Sequence, residues 1–151
     1  MKIIQKNKKA FFDYTIEEDI EAGVMLKGDE VKSIRKGGVS LKEAYAKINR
    51  ESLEAFIIDM NIDSNPFGTH TKLSPKRERK LLLHKNQIKR LLKKIEEKGL
   101  TLIPIEIYLN DRSLVKLKLA LCKGKKVFDK RETIKRRDFE RDSERENKIR
   151  T

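Results

Sequence analysis

LTLIPIEIYLN (Leu100–Asn110) is followed, after Asp111 and Arg112, by SLVKLKLAL (Ser113–Leu121). The second run alternates without interruption. Val115, Leu117, Leu119 and Leu121 point one way, and Lys116 and Lys118 the other. A period of two is the signature of a half-buried strand. The Asn-Asp turn makes the pair an antiparallel hairpin. Pro104 has no amide proton to give a ladder, so its strand is expected to lie at an edge or to bulge there.

Outward from this hairpin, other segments read as strands. Phe11–Glu18 is rich in aromatic and β-branched residues, and Ile20–Gly28 follows as a second strand. Gly23 inside the latter predicts a bulge or a close backbone approach. Ala44–Arg50 and Leu53–Asp59 form another hairpin about Glu51-Ser52. Lys2–Lys9 is a basic lead-in, and Asn61–Pro75 reads as a loop.

Two helices stand out. Asp29 to Lys36 has acids early and bases late, as the helix dipole favours, with Gly37 to close it. Ser40–Glu43 has capping-box spacing but room for only a turn. Ile88, Leu91, Leu92 and Ile95 follow the i, i+3, i+4, i+7 pattern of an amphipathic helix that starts near His84 and stops at Gly99. Its other face carries Lys85, Lys89, Arg90, Lys93 and Lys94. Six or so antiparallel strands with few helices predict a mainly β protein with helices, an OB-like antiparallel β-barrel.

Charge is unevenly placed. The net charge is +13, yet residues 1–75 hold 12 basic and 12 acidic side chains. Residues 76–98 hold 10 and 3, and residues 123–151 hold 12 and 7. Clustered positive charge points to a polyanion. In Leu121–Glu132, LCKGKKVFDKRE, a folded body passes into a charged arm, with Lys123, Lys125, Lys126, Lys130 and Arg131 around Phe128. Beyond it the apolar residues are Ile134, Phe139 and Ile149, too few to offset ordering entropy. The expected division is therefore a barrel over residues 1–128 and a basic tail over 129–151, disordered when free.

No chemistry of an enzyme stands out. Cys122 is the single cysteine, which excludes a disulfide framework and fits a reducing compartment. His70 and His84 have no cysteine partner, so no metal site is expected. Ser33, Ser40 and Ser74 lack a nucleophile elbow, and Gly37-Gly38 is not followed by the Lys-Ser/Thr of a phosphate loop. No cofactor is implied. There is no apolar run at the start and no apolar stripe in the tail, which ranks RNA above membrane as the polyanion.

Taken in chain order, Asn7-Lys-Lys-Ala10, Asp13-Tyr14, Ile16-Glu-Glu18, Glu21-Ala-Gly23, Gly28-x-Glu-Val-Lys-Ser33, Val39-Ser-Leu-Lys42, Arg79-Lys-Leu-Leu-Leu-His84, Lys98-Gly99, Lys123-Gly-Lys-Lys126 and Asp129-Lys-Arg131 resemble the small protein B family, the bacterial partners of transfer-messenger RNA. The resemblance spans nearly the whole chain, and its specificity lies in the order and spacing of individually weak motifs. It implies an OB-like barrel with about three helices and a tail that becomes helical on the ribosome. It implies a cytoplasmic monomer that binds the tRNA-like domain of transfer-messenger RNA, acting with elongation factor Tu on the aminoacylated RNA. Delivery to stalled ribosomes, peptide tagging and ribosome rescue follow.

The resemblance assigns Asn7, Glu21 and Leu82 to RNA binding. With them Lys8, Phe12, Arg79, Lys80, Lys123, Lys125 and Lys126 are expected to bind RNA. Phe128, Asp129, Lys130 and Arg131 are expected at the decoding centre, near small-subunit RNA and the messenger channel. Asn7 can hydrogen-bond backbone or base edges. Glu21 cannot contact phosphate, so it either accepts from a base amino group, orients a lysine, or is a structural carboxylate. Leu82 lies against a base or ribose by the resemblance, and in the core by the residues alone. Phe11-Phe12 stands where the family usually has Arg-His, which removes a cation at Phe11 and leaves Phe12 a ring that can stack. A ribosomal or ribosome-assembly protein shares the basic barrel and tail and is the alternative. An RNA-processing enzyme is the third reading.

Overall fold

The computed structural model describes residues 1–64 and 74–124. Its strands are β1 (Lys2–Lys6), β2 (Tyr14–Val24), β3 (Val39–Ser40), β4 (Tyr45–Asn49), β5 (Glu54–Ile58), β6 (Asn61–Ile62), β7 (Arg79–Leu82), β8 (Thr101–Leu109) and β9 (Val115–Gly124). Its helices are α1 (Lys8–Asp13), α2 (Gly28–Arg35) and α3 (Lys85–Lys98).

The large sheet runs β1-β8-β4-β5-β7-β2-β9, and β9 returns to pair with β8. Six strands thus close into an antiparallel ring with β1 added at β8, which is the expected OB-like barrel. The β8–β9 hairpin is the longest register after β2–β9. Leu117, Leu119 and Leu121 are buried, and with Leu102, Ile107, Ile57, Leu81, Ile34 and Ile88 they fill the barrel.

Pro104 marks a bulge rather than a free edge. The β8–β9 register shifts between Pro104 and Glu106. On its other side β8 pairs with β4 at Leu102 and with β1 from Glu106 to Leu109, which leaves a gap. Asn7 fills that gap. Its backbone N–H donates to Ile105 O at 2.8 Å and its Nδ2 to Pro104 O at 3.0 Å.

The N-terminal quarter departs from expectation. Lys2–Lys6 is a strand, not a lead-in. Phe11–Asp13 is helical, and the two expected strands are one continuous β2. Asn7 accounts for the helix, because its Oδ1 caps Ala10 N at 3.1 Å. The helix lays Ala10 over Ile103, Ile105, Ala120 and Cys122, a second small core. Hence Ala120 and Cys122 are buried on the face of β9 that Lys116 and Lys118 leave in the open.

The remaining turns follow the sequence. α2 ends at Gly37, φ 84°, and α3 at Gly99, φ 63°. In the β4–β5 turn Asn49 Oδ1 accepts from Glu51 N and Ser52 N, and Leu53 adopts φ 55°. A side chain here takes the place of a turn glycine.

Candidate nucleic-acid interface

Directly paired residues of a sheet share a face. On the outside of the barrel one row runs Leu82 (β7), Gly23 (β2), Lys116 (β9), Tyr108 (β8) and Ile3 (β1). The next runs Glu21, Lys118, Glu106 and Lys6. Leu82 is 51% exposed, which corrects its reading as a core leucine. The period of two in β7 turns Leu81 inward and Leu82 out. Gly23 lets the row close up. A Cβ there would lie 3.2 Å from Leu82 Cβ and 3.6 Å from Lys116 Nζ. An apolar patch and an ammonium therefore meet over Gly23. They also line a cavity of about 260 Å³ with Arg35 and with Leu114, a residue 54% exposed.

Glu21 is exposed, and Tyr108 Oη donates a hydrogen bond to its Oε2. Burial, then this bond and the nearby carboxylates, push the tyrosine's pKa well above its usual value. Lys118 stands opposite Glu21, yet its Nζ lies 3.8 Å from Glu106 Oε2 instead.

Lys8 is exposed at the start of α1 and lines a surface cavity of about 710 Å³ with Lys6, Lys9 and Lys42. Lys9 Nζ is 3.5 Å from Glu43. Phe12 is half-buried in α1 and Phe11 is 42% exposed. Asn7 does not present its amide to a ligand. It is 4% exposed, and both Nδ2 protons are committed, to Leu41 O and Pro104 O at 3.0 Å each. It shapes the platform on which Lys8 and Lys9 stand.

Arg79 requires a correction. It is 1% exposed, and its Nε bonds Glu30 Oε2 at 2.5 Å. Its Nη1 donates to Met60 O at 2.8 Å and its Nη2 to Pro75 O at 3.1 Å. With its donors turned inward the guanidinium is not offered to phosphate. Glu30 also receives Arg77 Nη2 at 2.5 Å and Lys27 N at 2.9 Å. Burial alone raises the Glu30 pKa, but these bonds outweigh it and hold the carboxyl below its usual range. Lys80, the next residue, is half-buried, with Nζ 3.9 Å from Glu54.

The basic face of α3 divides in two. Arg90 and Lys94 both bridge to Glu18 of β2. Lys85, Lys89 and Lys93 are exposed and, among the described residues, join no salt bridge. Lys123 is exposed near the end of β9, opposite Thr15. Lys125, Lys126, Phe128, Asp129, Lys130, Arg131 and His70 lie outside the described residues, as does the tail boundary. Local sequence does not distinguish Tyr108, and it marks Lys116 only as an outward lysine. The alternation in β9 signals Lys116, but nothing local signals Tyr108, whose partner is 87 residues away.

Among the described residues no group of His, Cys, Asp and Glu could hold a metal ion, and no helix is long and apolar enough to cross a membrane. Cys122 is buried in the second small core with Ala10, Ile103, Ile105 and Ala120, and this burial pushes its thiol up to about 12.

The chain resembles known proteins over nearly its whole length. It is 51% identical to the SsrA-binding protein of Treponema denticola over 99% of this chain and 96% of the relative. It is 50% identical to the SsrA-binding protein of Thermosipho melanesiensis over 93% of this chain and 95% of that one. A solved structure described as "tmRNA-SmpB: a journey to the center of the bacterial ribosome" is 40% identical and superposes with a TM-score of 0.69, covering 89% of this chain and 95% of its own. The model of the SmpB protein family matches residues 4–149, and the chain belongs to that family.

Proposed function

We propose that this protein binds the tRNA-like domain of transfer-messenger RNA and delivers it to stalled ribosomes for peptide tagging and ribosome rescue. The observation that carries this reading is the likeness, at 40% identity and a TM-score of 0.69, to a solved structure of SmpB with that RNA and the bacterial ribosome. The physical layout supports it. An exposed leucine, a carboxylate and lysines share one barrel face, which suits unpaired bases and phosphates together.

The protein acts as a cytoplasmic, monomeric, non-catalytic RNA chaperone. It works beside elongation factor Tu on the aminoacylated RNA and needs no cofactor. Within it, Lys8, Lys80, Lys123, Lys125 and Lys126 contact backbone, while Phe12, Glu21 and Leu82 meet bases or ribose. Asn7 and Arg79 act from within, by holding β8 and β7 in place. Residues 1–128 are the RNA-binding body. Residues 129–151 are the ribosome-directed arm, disordered when free and helical on the ribosome; Phe128, where the body meets the arm, stacks at the decoding centre, and Lys130 and Arg131 lie on phosphate there.

Sequencing the RNA that co-purifies with the protein tests this reading. One structured transfer-messenger RNA is expected. Recovery of ribosomal subunits without that RNA would instead indicate a ribosomal or assembly protein, and turnover of labelled RNA an enzyme. Phe128→Ala, and deletion from Asp129 onward, should leave RNA affinity nearly intact while tagging on stalled ribosomes falls sharply. Parallel loss of thermal stability and RNA binding in Phe128→Ala would return that ring to the core.

A further inference from the structure

The end of the chain carries a charge pattern that RNA binding does not call for. Residues 123–137 hold eight basic and two acidic side chains, but residues 138–147, DFERDSEREN, hold two basic and five acidic. The acids fall at every second position: Asp138, Glu140, Asp142, Glu144 and Glu146. A period of two puts every carboxylate on one side of an extended chain, about 6.6 Å apart. An α-helix would split them between two faces. RNA repels such a block, so its charge needs a cationic partner elsewhere.

The barrel offers one beside the point where the tail leaves. Gly124, the last residue of β9, pairs with Tyr14, which directly follows α1. Tyr14 lines a cavity of about 230 Å³ with Asn7, Lys9 and Lys42. The latter three also line the larger cavity of about 710 Å³, together with Lys6, Lys8 and Ile3. The two cavities therefore adjoin and lead from the exit of the tail to β1. Lys6, Lys8 and Lys42 are exposed and, among the described residues, join no salt bridge. No acidic residue among those described lines the larger cavity. β1 also ends its sheet, and beyond the ladder with β8 the backbone of Lys2–Lys6 makes no hydrogen bond among the described residues. A free strand edge flanked by lysines suits an extended acidic segment better than a helix or a stacked base.

We infer that residues 138–147 fold back along this groove as an extended segment, with their carboxylates on Lys6, Lys8 and Lys42, and shield those lysines from RNA until the tail is drawn away. Fourteen residue steps lead from Gly124 to Asp138 and can span up to about 46 Å, which reaches the groove. The tether also holds the acids at a roughly millimolar local concentration. A repeat of two can slip by two residues and present the same charges, so the contact keeps many registers and imposes no single conformation on the tail. Lys8 is among the residues assigned to the RNA backbone, so tail and RNA compete for it. The shielding rests on that RNA-binding reading, whereas the docking does not.

Zero-length carbodiimide coupling of the full-length protein at low salt tests the contact. Peptide mapping should find amide bonds from the carboxylates of residues 138–146 to Lys6, Lys8 or Lys42. A mixture of isotope-labelled and unlabelled protein should show them to lie within one molecule. They should vanish at about 0.5 M salt, where the Debye length is only about 4 Å. Bonds confined to the tail's own lysines, bonds to Lys85, Lys89 or Lys93 of α3, or bonds only between molecules would each overturn the inference. A short oligouridylate, which has no fold to recognise, reads the shielding. Glu140→Gln, Asp142→Asn and Glu144→Gln together should tighten its binding about threefold to tenfold at low salt, the scale of a few surface ion pairs. Adding Lys8→Gln and Lys42→Gln, both at exposed positions, should abolish that gain, because tail and groove act as a pair. A gain that persists in the combined variant would be mere added charge and would overturn the shielding, as would unchanged binding in the tail variant. Wild-type protein that ignores transfer-messenger RNA while these bonds form would instead overturn the functional reading and leave the docking standing.

Discussion

A methyl group added to Gly23 would come within 3.2 Å of Leu82 Cβ and 3.3 Å of Leu82 Cδ1. Leu82 Cβ is tied to the backbone of β7, so relief requires β2 and β7 to move apart. Gly23→Ala is therefore expected to destabilise the barrel by about 1–3 kcal/mol, as overpacking does. RNA affinity should fall as well, because Leu82 is displaced. Leu82→Ala separates the two effects. The side chain is half in solvent, so stability should change by no more than about 0.5 kcal/mol while affinity drops. Chemical denaturation beside RNA titration checks both.

Glu30 holds Arg79 and Arg77 in a setting where it is itself 3% exposed. Removing one partner of a buried pair costs about 3–5 kcal/mol. Glu30→Gln should be destabilised by that order at neutral pH. Because the folded carboxyl titrates below its unfolded value, the contribution is fully present above the unfolded value and is lost as pH falls through the folded one. The gap between wild type and Glu30→Gln should narrow as the pH drops below about 4.5, the ordinary carboxylate value. A gap that stays constant to about pH 3, well under the usual carboxylate range, would show that Glu30 is not the acid-sensitive member of this network.

The strands that alternate were legible in the sequence, and so were the two glycines that end α2 and α3. What local pattern could not show were the places where distant residues decide. Phe11 and Phe12 look like strand residues, but Asn7 bonds Leu41 and Pro104 and starts a helix there instead. Arg79 and Lys80 look alike in a basic run. Only the parity of β7 and the position of Glu30 put one inside and the other at the surface. The same parity distinguishes Leu81 from Leu82. The candidate site shares the difficulty, for Tyr108 and Glu21 meet only because β9 lies between their strands.

Asn7 offers a sharper test of tertiary control. Asn7→Ala removes a helix cap and leaves two buried carbonyls without donors. The expected loss is about 1–3 kcal/mol. Asn7→Asp keeps an acceptor for Ala10 N but turns a second oxygen toward Leu41 O and Pro104 O. At neutral pH it should be the less stable of the two variants. Its buried carboxyl would titrate above the ordinary range, so stability should recover as pH falls and the group protonates. Thermal melts of both variants at about pH 5 and about pH 8, on either side of a raised carboxyl, check the sign. An aspartate variant as stable as wild type at the higher pH would mean that the β8 gap is closed by other means.

The cations of α3 divide into those engaged with β2 and those left to face the RNA. Arg90 and Lys94 converge on Glu18, so their charge is already partly neutralised and their side chains are held against β2. Lys85, Lys89 and Lys93 remain exposed, and ammonium groups of this kind release counterions when they meet phosphate. Replacing all three with glutamine should weaken binding at low salt. It should also reduce the slope of log affinity against log salt by about 0.7–0.9 for each phosphate no longer neutralised. Helix stability should be nearly untouched, since lysine and glutamine have similar helix propensity and Ile88 and Leu91 carry the packing. Arg90→Gln with Lys94→Gln should behave in the opposite manner. It unpairs Glu18 at the surface, which lowers stability modestly, by about 0.2–1 kcal/mol for each exposed bridge, and leaves the salt slope nearly as it was. Equal slope changes in the two variants would show that Glu18 gives up its partners to the RNA. An unchanged slope in the lysine triple would make this face of α3 a solvated surface and move the phosphate contacts to Lys8, Lys80 and Lys123.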